Sequence, residues 1–124
     1  MRNEPVPELA CPISPVVDIV FSRWTTPILW TLHEHGRMRF TELERRIGTV
    51  TAKVLTQRLR QLERDGLVVR TYTPQIPPRV EYEISELGRS LGPLFHSLSA
   101  WATTNLPSVD TARKEYDTSG RPMP

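Results

Sequence analysis

Cysteine is nearly missing from this chain: Cys11 is the only one in 124 residues. No disulfide can therefore form within the chain, and the sequence fits a reducing compartment. Long apolar runs are missing too, with nothing near the roughly 20 residues that a membrane-spanning helix needs. The opening stretch, MRNEPVPELACPIS, lacks the apolar core of a signal peptide. A cytoplasmic location is expected. His33, His35 and His96 share no ligand spacing with one another or with Cys11. No Ser/His/Asp arrangement, glycine-rich phosphate loop or paired-carboxylate motif stands out. Neither an enzyme nor a metal or cofactor site is expected.

What is present is ordinary in amount and uneven in placement. Hydrophobic content of 38% and charge of 24% suit a globular protein, and the length suits one domain with a modest core. Net charge is only +2, but residues 37–79 hold ten Lys/Arg against four Asp/Glu. The remainder holds six against ten. A basic middle third flanked by acidic segments points to a polyanionic partner.

Within that third, residues 49–66 read TVTAKVLTQRLRQLERDG. On a helix at about 100° per residue, Lys53, Thr56, Gln57, Arg60 and Arg64 fall within about 60° of one line. Leu55, Leu59 and Leu62 fall on the opposite side. Thr51 or Thr49 can cap the start, and Gly66 suits a left-handed end against which Leu67 folds back on Leu62. An ordinary amphipathic helix mixes charge signs on its wet face. This one carries almost no acid there until Glu63, as expected of a helix that meets phosphates and base edges.

The neighbouring stretches supply a frame for it. Residues 1–12, with Pro5, Pro7 and Pro12, read as an extended arm. Ser14 and Pro15 mark the start of a first helix carrying Val16, Val17, Ile19, Val20 and Phe21. Thr26-Pro27 begins a second, with Ile28, Leu29 and Leu32 inside and Gly36 as its stop. Trp24 and Trp30 are expected in the core. Residues 37–40 are an edge strand at most. Thr41 and Glu44 form a capping box for a helix that buries Leu43 and Ile47 and ends at Gly48. A short helix, a turn and a helix with a basic outer face describe a helix-turn-helix.

The period then changes. Residues 67–72 and 79–84 alternate as strands around the Pro-rich turn 73–78, making a hairpin wing. Val80, Tyr82 and Ile84 are expected to face in, with Arg79, Glu81 and Glu83 outside. Ser85 caps a long helix, residues 85–106, that Pro93 kinks and in which Gly88 and Gly92 admit a second helix closely. Its apolar stripe exceeds the needs of one small core. A dimer through Val17, Phe21, Leu91, Leu94, Phe95, Leu98 and Trp101 is expected. Residues 107–124 read as a flexible tail. The fold class is thus mainly α with a small β-hairpin wing. Residues 13–106 are expected to form a winged helix-turn-helix DNA-binding and dimerisation domain.

In this arrangement the basic helix lies in the major groove. Thr51, Lys53, Thr56 and Gln57 reach base edges or adjacent phosphates, and Arg60 and Arg64 reach the backbone. Gln57 can hydrogen-bond adenine twice and Lys53 can donate to guanine. Arg79 and Gln75 on the wing are expected at the flanking minor groove or its phosphates. Two readings of Arg58 stand: a flanking phosphate contact, or an internal salt bridge.

The sequence resembles the HxlR-type family of bacterial winged-helix transcriptional regulators, relatives of the MarR regulators. The resemblance rests on Cys11-Pro12, Trp24, Arg39-Phe40-Thr41-Glu42-Leu43, Val54-Leu55-Thr56-Gln57-Arg58-Leu59, Leu62-Glu63-Arg64-Asp65-Gly66-Leu67, Pro77-Pro78-Arg79-Val80-Glu81-Tyr82 and Gly88-Arg89-Ser90-Leu91. It departs at Ser22-Arg23, where the family often has Gly-Lys, and at Gly36-Arg37-Met38-Arg39, where a Gly-Pro-Lys-Arg type is usual. The resemblance implies a homodimer on a palindromic operator in double-stranded DNA, usually a repressor and sometimes an activator. In some members the N-terminal cysteine senses oxidants or electrophiles, and Cys11 matches that position. A buried, inert cysteine is the other reading. Two rival functions stand beside this one: a winged helix that binds an acidic protein, and a sequence-blind chromosome-binding protein.

Overall fold

The computed structural model describes residues 11–120. The extended arm expected over residues 1–12 lies, apart from Cys11 and Pro12, outside the described residues. Helices α1 (Ser14–Val20) and α2 (Thr25–His35) lead into strand β1 (Met38–Arg39). Helices α3 (Phe40–Ile47) and α4 (Ala52–Arg64) follow, then strands β2 (Val68–Thr73) and β3 (Arg79–Ile84). The short α5 (Glu86–Arg89) and the long α6 (Gly92–Thr118) complete the order. The chain divides into two compact units, one ending at Ser90 and the other beginning at Leu91.

In the first unit, one antiparallel sheet has the order β1-β3-β2. The expected edge strand is there, as Met38 and Arg39 pair with Tyr82 and Glu81. Strands β2 and β3 run in unbroken register from Val68 opposite Ile84 to Thr73 opposite Arg79. The core draws Ile28, Leu29 and Leu32 from α2, Leu43 from α3, and Leu55, Leu59 and Leu62 from α4. Val68 and Ile84 close it from the sheet. The spacing of three and four along each helix puts these residues on one stripe.

Several local expectations are corrected. Ser14 is the first residue of α1, not its cap, and Ile13 takes the cap position without a side-chain hydrogen bond. The Thr41–Glu44 capping box does not form, because the helix begins two residues early and places Arg39 at the cap. Trp24 and Trp30 are half-buried, not core. Arg23 lies over the Trp24 ring at 5.0 Å, and Trp30 stacks on His33.

Pro93 breaks the expected long helix instead of kinking it. A proline ring clashes with the carbonyl four residues back, which is that of Arg89, the last residue of α5. Pro93 then sits in the first turn of α6, where its missing N–H costs nothing. Ser85 caps only α5, accepting from the Gly88 N–H at 3.0 Å. Gly88 admits the hairpin and not another helix: a Cβ there would lie 2.5 Å from Ile84 Cγ1 and from the Leu67 carbonyl oxygen. It lets α5 pack on its own hairpin.

The second unit is α6. It continues through Pro107 to Thr118, so the expected loose tail is helical over most of its length. One proline in a helix interior removes one hydrogen bond, and the good helix formers Ala112, Arg113, Lys114 and Glu115 carry the helix on. Thr111 Oγ1 also donates to the Pro107 carbonyl at 3.0 Å. No helix among the described residues is long and apolar enough to cross a membrane.

Candidate nucleic-acid interface

Helix α4 is built from both ends as its sequence suggested. Thr51 has extended backbone, and its Oγ1 accepts from the Val54 N–H at 3.2 Å. Thr49 has no part in the cap. At the far end Leu67 N–H reaches the Leu62 carbonyl at 2.9 Å, and Gly66 N–H reaches that of Glu63 at 3.1 Å. This pair of bonds is the Schellman closure, and it needs the φ of +78° that Gly66 supplies. Ser85 then ties the closure to the sheet, donating from Oγ to the Gly66 carbonyl at 2.6 Å. Its N–H reaches the Leu67 carbonyl at 3.0 Å. The end of α4 and the root of the wing are thus fastened together.

With Leu55, Leu59 and Leu62 buried, the opposite face of α4 is open. Lys53, Gln57, Arg60 and Arg64 are all exposed. They fall along one line over about 16 Å of helix. Among the described residues no carboxylate pairs with any of them. Arg58 is half-buried and likewise has no carboxylate partner there, so the internal salt bridge read as one of its two options is not formed. Two hydroxyls on the same helix are less free than their sequence positions suggest. Thr56 Oγ1 donates to the Ala52 carbonyl at 2.8 Å, which leaves it only as an acceptor. Thr51 Oγ1 spends an acceptor site on its cap and keeps its proton.

The wing treats its charges differently. Glu81 is not outside as expected; its side chain is only 16% exposed. It takes Arg79 Nη2 at 3.3 Å on one oxygen and faces Arg37 Nε at 4.0 Å on the other. Arg37 Nη2 also lies 3.6 Å from Glu83 and donates to Thr71 Oγ1 at 2.8 Å. Arg79 Nε is buried with no hydrogen-bond partner. Sequence reasoning missed Arg37, which sits before β1 and reaches its partners only because β1 lies beside β3. The alternation of Arg79, Glu81 and Glu83 on one strand face was the available signal. Gln75 stands exposed in the wing's turn.

Cys11 is exposed, so the buried, inert reading does not hold. The Ile13 N–H and the Ser14 hydroxyl hold its thiol below the ordinary range by stabilising the thiolate. Among the described residues no group of His, Cys, Asp and Glu could hold a metal ion. Of the residues expected between two chains, Val17, Phe21, Leu98 and Trp101 are exposed. Leu91 and Leu94 are half-buried, and Phe95 at 3% exposure has almost no apolar surface left to offer a partner.

A helix-turn-helix with a bare cationic second helix and a flanking hairpin defines a winged helix-turn-helix protein of the transcription-regulator class. A model of the HxlR-like helix-turn-helix family matches residues 19–110, and the chain belongs to that family. It is 42% identical over 105 residues to the HTH-type transcriptional regulator YtfH of Escherichia coli K12, covering 85% of this chain and 82% of that one. Among solved structures it is similar to the HTH-type transcriptional regulator ytcD, with a TM-score of 0.74 and 40% identity over 77% of this chain and 97% of that one. It is also similar to the redox regulator HypR in its reduced form, with a TM-score of 0.76 and 32% identity over 81% and 98%. These relatives carry the names of transcriptional regulators.

Proposed function

We propose that this chain is a sequence-specific DNA-binding repressor that acts in the cytoplasm as a homodimer on a palindromic operator. The observation that carries this reading is the unpaired line of Lys53, Gln57, Arg60 and Arg64 opposite the buried leucines of α4. A solvated face of this length without carboxylate partners offers its cations to phosphates. Gln57 and Lys53, near the helix N-terminal half, carry the donors that read base edges. Thr51 and Thr56 add one hydroxyl donor and one acceptor beside them. Arg60 and Arg64 take the backbone, while Arg79 and Gln75 reach the flanking minor groove or its phosphates. Arg79 reaches a phosphate with the part of its side chain that stays exposed beside Glu81.

Cys11 is the responsive group in this reading. It is exposed, its thiolate is favoured, and a relative's name marks that protein as a redox regulator. Being the only cysteine, it forms a disulfide only with a second chain or with a small thiol. In that step two thiols lose two protons and two electrons to the oxidant.

Enrichment of duplexes from a random-sequence pool tests the reading. The protein should select one motif with two-fold symmetry. Gln57→Ala should cost about 1–3 kcal/mol at one base position and relax the preference there. If Gln57→Ala and Lys53→Ala both leave affinity and base preference untouched, α4 is not the reader and the protein-binding alternative replaces it.

A further inference from the structure

The wing ends in chemistry that its charges do not explain. Ile76 at the tip is 101% exposed, more than any other large apolar residue described. Residues 74–78, Pro-Gln-Ile-Pro-Pro, are all exposed and carry no charge. Three of the five are prolines, so they have no N–H to offer a phosphate. A wing that met only the DNA backbone would present lysine, arginine or free amides at this point. This one presents an isoleucine framed by rigid rings, with the Gln75 amide as its one polar side chain.

Its position is as informative as its composition. Among the large apolar side chains of β2 and the tip, exposure rises from buried Val68, opposite buried Ile84, through Val69 and Tyr72 to Ile76. Five further residue pairs of unbroken register separate the buried pair from the end of the ladder. That is about 17 Å of strand, enough to carry the tip clear of the core. The root of the same hairpin is fastened to the end of α4 through Ser85. The tip is therefore held at a set reach from the helix that faces the major groove.

We infer that Ile76 is an apolar wedge that enters the minor groove beside the operator half-site and lodges against a base step. The inference rests on the DNA-binding function proposed above and adds a contact of a different kind. Isoleucine and proline are among the side chains that unstack a base step from the minor groove and bend the duplex. The prolines lower the entropy lost on insertion, since their φ is already set. Gln75 beside the wedge can donate to the acceptors that A·T pairs display on the groove floor. Because neither residue neutralises a phosphate, this contact contributes affinity without adding to the salt dependence.

The test uses the full-length protein and a short duplex enriched by the wild type from a random pool, with 2-aminopurine placed at successive flanking steps. Wild-type protein should raise the fluorescence at one step outside each half-site. Ile76→Ala should abolish that rise and weaken binding about tenfold, equal to about 1.4 kcal/mol, with an unchanged salt slope. Ile76→Leu should keep both signals. Since Ile76 stands fully in solvent in the free chain, the thermal melt of either variant should match the wild type.

Wild-type affinity and fluorescence for Ile76→Ala would overturn the wedge. So would weaker binding accompanied by a shallower salt slope, which would mean that a displaced wing no longer reaches its phosphates. Reduced self-association without any change in DNA affinity would assign the tip to a second chain and overturn it as well. If the wild type enriches no duplex at all, the proposed function fails and the wedge with it. A failure confined to Ile76 leaves the reading of α4 standing.

Discussion

Helix α4 and the β2–β3 wing are neighbours in sequence and are joined at Gly66, Leu67 and Ser85, yet they use arginine in opposite ways. On α4 the core residues occupy one face and the cations stand alone on the other. On the wing Arg79, and Arg37 beside it, lie against Glu81 and Glu83, only the exposed Arg70 among its arginines has no carboxylate partner among the described residues, and the exposed end is apolar. A count of basic residues treats the two regions as one positive patch. Their pairing separates them into a surface whose charge is available and a surface whose charge is largely neutralised. Salt-dependent affinity should therefore come mainly from the helix, while the wing contributes shape and an apolar contact.

The largest expected effect sharpens the contrast between a packed side and a bare one. Leu59 is 1% exposed, and Leu59→Ala should cost about 2–5 kcal/mol of stability in urea unfolding. Arg60→Ala on the same helix should leave the midpoint within error. Equal destabilisation would mean that the cationic face is structural.

Next in size is the electrostatic difference. Arg60→Ala and Arg64→Ala should each flatten the slope of log affinity against log salt by about 0.9. Arg79→Ala should weaken all sequences alike but flatten the slope by less, because its guanidinium already has Glu81 as a partner. An Arg79 slope change as large as that of the α4 arginines would erase the distinction.

A smaller effect of opposite sign follows from the same pairs. Glu81→Gln removes the carboxylate from between Arg37 and Arg79 and should raise DNA affinity modestly, with a steeper salt slope. Weaker binding instead would show that Glu81 holds Arg79 in its DNA-binding pose. The smallest effect concerns Cys11. Under reducing conditions Cys11→Ser should bind DNA as the wild type does, and only the response to diamide should disappear. Alkylation of Cys11 should titrate with a midpoint below the ordinary thiol range, because the thiolate is the favoured form.

Much of this is legible without coordinates, and α4 shows why. Its buried leucines, its cap at Thr51 and its end at Gly66 all depend on residues within a few positions of one another. Helical period and left-handed glycine are short-range facts. Where the sequence misleads, a second local solution exists at little cost. Thr41 is a good cap by type, but Arg39 is already paired in β1, so the helix can start at once from Phe40. Pro93 reads as a kink inside one helix, although it suits the first turn of a new one equally well. Pro107 reads as an end, yet the residues after it favour helix enough to continue.

From its residues alone, then, the chain determined the winged helix-turn-helix class, the amphipathic split of α4 and the hairpin beyond it, because each follows from a repeat along the backbone. The tertiary structure decided which charges are available. Arg37 meets Thr71, 34 positions away, only because β1 is laid against β3 and β3 against β2. It also decided that Ile76 stands fully in solvent while Ile84 on the same hairpin is buried. Two isoleucines in one hairpin are chemically alike, and only their distance from the core, set by the paired strands between them, makes one a packing residue and leaves the other open to a partner.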